Sequence, residues 1–223
     1  MPAAKLLILG LLVALVPQAA PVPGALESNP KGWTDLLADR TLSQWVRVPL
    51  GPAGKLAAGQ AGDPSPWTLN ADGVLVCDGT KVGHELFRFA EEVGDVVLHV
   101  EWRFTKVEGE PPYNSGVFPR VTADGKTWFQ AQTGPAGGYL FGNAPVDGTT
   151  QRVNLRDKMT ENRVKAAGEW NTYEIKAVGR SLTLWVNGAV VNEFTECPMT
   201  RAYVGLEAEG YRIEFRNLKI KRL

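Results

Sequence analysis

The sequence predicts an all-β protein, a sandwich of two antiparallel sheets. Residues 96–104 alternate strictly. Val96, Leu98, Val100, Trp102 and Phe104 share one face and His99, Glu101 and Arg103 the other, the period-2 signature of a strand buried on one side. The 24 glycines and 15 prolines cut the chain into short segments. Asn187-Gly188 and the Asn-Ala-Asp-Gly run at 70–73 read as hairpin turns, because their residues accept positive φ. Helical periodicity is nearly absent, so roughly a dozen strands must bury their apolar faces against one another.

The composition narrows the function classes. With 223 residues, 44% of them hydrophobic, the chain fills one core. Its 24 basic and 24 acidic residues balance, which leaves no field to draw nucleic acid or anionic lipid and favours a neutral ligand. Lys5 precedes an apolar run at 6–16, followed by small residues and prolines. That run is shorter than the roughly 20 residues a bilayer span requires and suits a secretory leader. The expected division is a leader over 1–25 and a single domain over 26–223, exported and free of the membrane once the leader is removed. A retained interfacial anchor is the alternative. Export would place Cys77 and Cys197 where disulfides persist, so they either pair or remain free thiols.

Taken in order, GWTDLLADRTLSQWV (32–46) has a compact apolar start and a Trp-bearing strand, and PWTLNADGVLVCDG (66–79) is strand, turn, strand. A strand carrying Leu86, Phe87 and Phe89 precedes the long strand at 96–104. Asn-Ser-Gly opens the next, with Asn114, Phe118 and Arg120 assigned to one side and Ser115, Val117 and Pro119 to the other. WFQAQ (128–132) places Trp128, Gln130 and Gln132 together. The polar stretch 133–168 reads as a partly ordered cover over a site, with Tyr139, Asn143, Asp147 and Lys158 as its candidate contacts. From 169 onward the alternation returns. It shifts once at Arg216-Asn217, as a β-bulge would cause.

Among polar residues, Glu101 stands out as a carboxylate on the outward face of a rigid strand, where a surface ion pair with Arg103 is the competing explanation. Asn114 and Arg120 extend that polar surface. Trp128 and Trp185 lie on the polar faces of their strands, where an indole can stack on a sugar. Zinc-type His/Cys spacing and Asp-rich calcium loops are lacking in the sequence, and no metal or cofactor is expected.

Together GWTDLL, WTLNADGVLV, GDVVLHVEWRF, NSGVFPR, GEWNTYEIKAVGRSLTLWVNGAVV and FRNLKIKRL resemble the 3-keto-disaccharide hydrolase family, formerly a domain of unknown function. The resemblance covers nearly the whole chain after the leader. It implies a concanavalin A-like jelly roll whose concave sheet receives a small saccharide or glycoside, and cleavage of 3-keto glycosides by elimination and hydration. On that reading Glu101 is the base, Arg120 the partner of the keto oxygen and Glu207 the acid. Asn114, Gln130, Gln132, Trp185 and Glu209 bind substrate. The chain departs from the family pattern at Gln130-Ala131-Gln132, where members usually carry an acidic residue two positions before the Gln, so that Gln130 stands in its place. It departs again at Glu207, Glu209 and Gly210, where many members have a polar residue followed by His-Gly. Those departures leave a non-catalytic carbohydrate-binding domain as the alternative function.

Overall fold

The computed structural model describes residues 20–50, 64–81, 84–109, 112–146 and 148–223. The apolar run at 6–16 and Asp147 lie outside them. The strands are β1 (Thr34–Asp35), β2 (Trp45–Pro49), β3 (Trp67–Leu69), β4 (Leu75–Asp78), β5 (Glu85–Phe89), β6 (Val96–Phe104), β7 (Gly116–Val121), β8 (Trp128–Gln132), β9 (Leu140–Val146), β10 (Thr149–Asn154), β11 (Asn171–Val178), β12 (Ser181–Val186), β13 (Ala189–Phe194), β14 (Tyr203–Ala208) and β15 (Arg212–Arg222). One sheet runs β13-β12-β11-β6-β15-β4-β3, with β1 added beside β15. The other runs β10-β9-β8-β7-β14-β5-β2. Every pairing is antiparallel, as expected for a sandwich. No helix among the described residues is long and apolar enough to cross a membrane.

The alternation read in β6 holds: Val96, Leu98, Val100, Trp102 and Phe104 are all buried between the sheets. Facing them from the second sheet are Val117, Phe129, Ala131, Leu140, Val204 and Leu206. Each such large side chain contributes about 1.5–3 kcal/mol by leaving water. Stacked rings close one flank, with Phe87 centred 4.9 Å from Trp45 and 4.5 Å from Trp67. The Asn187-Gly188 turn has φ of 43° and 107° and joins β12 to β13 as a tight hairpin. Cys77 and Cys197 are buried free thiols.

Three expected site residues turn out to hold the scaffold. Glu101 lies on the outer face of the first sheet, where its carboxylate takes the Arg216 guanidinium at 2.6 and 2.7 Å and the Asn217 amide at 2.5 Å. Those partners form the β15 bulge, with Asn217 at φ 48°. Glu101 therefore clamps an irregularity of the first sheet, and it lies across the core from the second sheet's outer face. Trp185 shares that outer face and donates its indole N–H to the Val22 carbonyl.

Arg120 is corrected by a bulge in its own strand. Val117 pairs with Ala131, but Arg120 pairs with Phe129, so β7 carries one extra residue between them. A one-residue slip reverses the face, and Arg120 turns into the space between the sheets. Its guanidinium donates to the carbonyls of Gly94 at 2.6 Å, Ala177 at 3.3 Å and Val93 at 3.4 Å. Burial holds its pKa below the usual arginine range.

The stretch 133–168 is also different from the cover expected of it. It supplies β9 and β10, whose ladder continues the second sheet. Tyr139 and Asn143 line the cleft on that sheet, while Lys158 sits apart in a short 3₁₀ turn.

Residues 22–26, which straddle the expected end of the leader at 25, bond to the first sheet. The Val22 N–H donates to the Gly188 carbonyl at 2.6 Å. Glu174 receives the N–H groups of Ala25 and Leu26, the latter at 2.9 Å, and pairs with His99 Nδ1 at 2.9 Å. Residues 22–26 thus form a strap across the outer face of the first sheet.

Replacing Arg120 with Ala removes the donor to the Gly94 and Ala177 carbonyls and leaves a cavity, while the Val93 carbonyl keeps the Ala202 N–H. Unfolding in urea is expected to show a loss of about 3 kcal/mol or more, with the native circular dichroism spectrum kept in the absence of denaturant.

Candidate functional site

The outer face of the second sheet carries a cleft of about 1040 Å³. Strand phase decides what lines it. In β8, Phe129 and Ala131 face the core, so Trp128, Gln130 and Gln132 face the cleft. In β14, Val204, Leu206 and Ala208 fill the core and Glu207 points outward, with Glu209 just past the strand end. His84 immediately precedes β5, and Asn114 lies two residues before β7. Six polar side chains from four separate strand segments therefore converge.

Their hydrogen bonds form a directed chain. His84 Nε2 and Glu207 Oε1 are 2.6 Å apart. Glu209 is a carboxyl acceptor, so Asn114 presents its Nδ2 to it, at 2.6 Å. Asn114 Oδ1 then takes an N–H of Gln132, and Gln132 Oε1 takes the Gln130 Nε2 N–H at 2.8 Å. One acid end thus fixes the orientation of three amides. The chain terminates in Gln130 Oε1, which, like Glu207 Oε2, is buried without a hydrogen-bond partner among the described residues. An unpaired buried acceptor costs about 1–3 kcal/mol, so both oxygens favour an incoming donor.

Backbone contacts hold the network in place. Ser115 Oγ donates to the Glu207 carbonyl at 2.7 Å, and the Tyr173 hydroxyl donates to the Gln132 carbonyl at 2.8 Å. Gly116 lies beneath Gln130, and a Cβ there would come within 2.6 Å of the amide carbon. Only glycine leaves room for that side chain.

Burial raises the Glu209 carboxyl to about 7, and the neighbouring Glu207 charge adds to the effect. His84, Asn114 and Arg152 pull the other way. For His84, burial disfavours the charged ring, but the hydrogen bond and charge of Glu207, helped by Glu209, outweigh it and raise the pKa. At neutral pH the cleft therefore holds a carboxyl poised between its two forms beside an imidazole that favours its proton. The donor atoms of His84, Glu207 and Glu209 all lie within 4.8 Å of one another, the spacing that a shared divalent cation would need.

Aromatic side chains floor the remainder of the cleft. The Trp128 ring meets Phe118 edge-on at 5.9 Å and Phe141 at 5.3 Å, and Tyr139 stands 6.2 Å from Phe141. The Arg152 guanidinium lies over Phe141 at 4.3 Å and Trp128 at 5.1 Å.

Of the residues expected from sequence, Asn114, Gln130, Gln132, Glu207 and Glu209 meet here. Glu101, Arg120 and Trp185 do not. Sequence reasoning missed His84. It is one of two histidines, and it sits in phase with Leu86 and Arg88, opposite the core-facing Glu85, Phe87 and Phe89. Reading that parity backward from β5 would have placed it on the cleft face.

Residues 32–221 match the model of the 3-keto-alpha-glucoside-1,2-lyase-like domain. The chain belongs to that family. No curated protein matches its sequence. Among solved structures, a putative glycosyl hydrolase from Parabacteroides distasonis is similar, with 19% identity, a TM-score of 0.60, and coverage of 92% of this chain and 100% of that one. The carbohydrate-binding module CBM66 from Bacillus subtilis gives 11% identity and a TM-score of 0.57, over 80% of this chain and 95% of its own. A Bacillus licheniformis beta-glucanase gives 14% and 0.55, over 86% and 97%. At these identities the neighbours establish the jelly-roll fold that this member of the 3-keto-alpha-glucoside-1,2-lyase-like family shares with them.

Two outcomes test the site's electrostatics. Glu209 and His84 both have raised folded-state pKa values, so their stabilising contribution is complete below the unfolded values and is lost as pH rises through the folded ones. Glu209→Gln is therefore expected to gain stability relative to the native chain at pH 8 but not at pH 4, as read from urea midpoints. Gly116→Ala is expected to displace the Gln130 amide and weaken saccharide binding by about tenfold, measured by calorimetry, with the fold preserved by circular dichroism.

Proposed function

We propose that this cleft binds a 3-keto glycoside and cleaves it by elimination, followed by addition of water. The observation that carries the proposal is the convergence of Glu209, titrating near neutrality, with the His84–Glu207 pair and a chain of oriented amides. Family membership supplies the substrate class.

A ketone at carbon 3 acidifies the proton on carbon 2. Glu209, with a carboxyl near 7, is suited to remove that proton, because a base works best when its pKa lies close to the ambient pH. Asn114 Nδ2 and Gln130 Nε2 each use one N–H within the chain and keep a second for the keto oxygen, where charge develops. The electron pair from the C2–H bond forms the C1=C2 double bond as the C1–O bond breaks. His84, held by Glu207, delivers a proton to the departing oxygen. Addition of water across the double bond then yields the free 3-keto sugar, so the sum is a hydrolysis. Trp128 and Phe141 offer a face for the sugar ring. The leader-like run at 6–16 supports an exported protein, released into the periplasm or medium.

The same aromatic floor favours a second reading, a carbohydrate-binding domain without catalysis. Incubation with 3-keto glucosides separates the two: aglycone release supports the enzyme, and binding without release supports the binder. For the enzyme, Glu209→Gln and His84→Gln each lower turnover by about 100- to 10,000-fold. Glu101→Gln leaves it within about twofold, because its carboxylate serves the β15 bulge on the other sheet.

A further inference from the structure

Charge is separated along the cleft. His84, Glu207 and Glu209 stand at its β5 and β14 end, and Arg152 stands on β10, the edge strand of the same sheet. The acids have partners close by. Glu207 has the His84 imidazole at 2.6 Å, Glu209 takes the Asn114 amide at 2.6 Å, and Asp124 has the Lys126 ammonium at 3.1 Å. Arg152 differs from them: among the described residues its guanidinium pairs with no carboxylate and donates no hydrogen bond. Its charge is the smallest of the influences on the Glu209 carboxyl, so it is not that group's counterion.

Aromatic rings hold the guanidinium in place. It lies 4.3 Å from the centre of Phe141 and 5.1 Å from that of Trp128, and both rings line the cleft. Contact with π faces uses the positive charge and spends no N–H group. The donor fork that grips a planar anion is therefore positioned and unspent.

Resting on the 3-keto glycoside reading above, we infer that the sugar carries a carboxylate at carbon 6, as a glycosiduronate does, and that Arg152 is the residue that selects it. In that reading carbon 1 faces His84, carbon 2 faces Glu209 and the keto oxygen on carbon 3 faces the amide chain. Carbons 4 and 5 are then the ring atoms farthest from His84 and Glu209. The sheet order β5-β14-β7-β8-β9-β10 leads in that direction, from the acid–base end across Gln130 toward Arg152. Gln130 and Trp128 are two residues apart on one face of β8, about 7 Å, which is comparable to the reach of one sugar ring. An exocyclic group on carbon 5 thus arrives at the guanidinium above Trp128. A carboxylate presents two coplanar oxygens to two parallel N–H groups, and its single charge equals that of one guanidinium. The balanced total charge that favours a neutral ligand averages over this local separation.

Calorimetry on the full chain with unoxidised methyl glucosides and methyl glucuronides, in both anomeric forms at neutral pH, tests this without turnover. The glucuronide of the preferred anomer is expected to bind about tenfold tighter than its glucoside or better. Arg152 is exposed on an edge strand, so Arg152→Gln is expected to keep the native circular dichroism spectrum while the ratio of the two affinities falls to about one. Arg156→Gln, in the 3₁₀ turn outside the cleft, removes the same charge and is expected to leave that ratio within about twofold. Equal affinity for the two glycosides, no binding of either, a ratio that survives Arg152→Gln, or a ratio lost equally in Arg156→Gln overturns the inference. So does methyl glucoside 6-sulfate binding as tightly as the glucuronide. A glucuronide preference that depends on Arg152, combined with no aglycone release from 3-keto glucosides or 3-keto glucuronides, overturns the proposed reaction and leaves the Arg152 assignment standing.

Discussion

The phase of three neighbouring strands governs both what fills the core and what reaches the cleft. β7, β8 and β14 each send alternate residues inward, and the apolar demand of the core decides which set that is. Phe129 and Ala131 inside place Gln130 and Gln132 outside, and Leu206 and Ala208 inside place Glu207 outside. A polar network on one face is thus fixed by hydrophobic burial on the other. The extra residue in β7 is the exception that shows the strength of this constraint. It leaves Phe118 on the cleft side and sends Arg120 into the interior, where only backbone carbonyls receive it.

Much of the architecture could be read in the sequence, since period and turn chemistry act locally. The β6 alternation, the Asn187-Gly188 hairpin and the bulge at Asn217 are properties of a few adjacent residues, and all three are present in the structure. The site was legible in part. Asn114, Gln130, Gln132, Glu207 and Glu209 fall on predictable faces, but which sheet each strand joins is not a local property. Glu101 looked like a site carboxylate because β6 is the longest regular strand of the middle of the chain. Sheet order instead sets β6 between β11 and β15, across the core from the cleft. Arg120 was misplaced for a subtler reason. Pro119 lies within the bulge of a central strand, where proline is tolerated only at such an irregularity, and the alternation was counted through it.

The carboxyl and imidazole of the cleft depend on one another. Glu207 raises both neighbours, adding its charge against that of Glu209 and holding the proton on His84. Acid stands after β14, where the resemblance led to a histidine, yet an imidazole reaches the cluster from the edge of β5. The chemistry is supplied by the spatial set, and strand address is secondary.

The strap at residues 22–26 bears on where this chain can be cut. Glu174 sits beside His99 at the sheet surface with both oxygens engaged, one by each of two consecutive backbone N–H groups. A truncation that starts at position 26 deletes one of those donors and converts another into a mobile terminal ammonium, while Trp185 loses its carbonyl. Residues 22–26 thus cap the Glu174 carboxylate from outside the sheet, and trimming them as though they were linker would uncover a charge that their N–H groups hold.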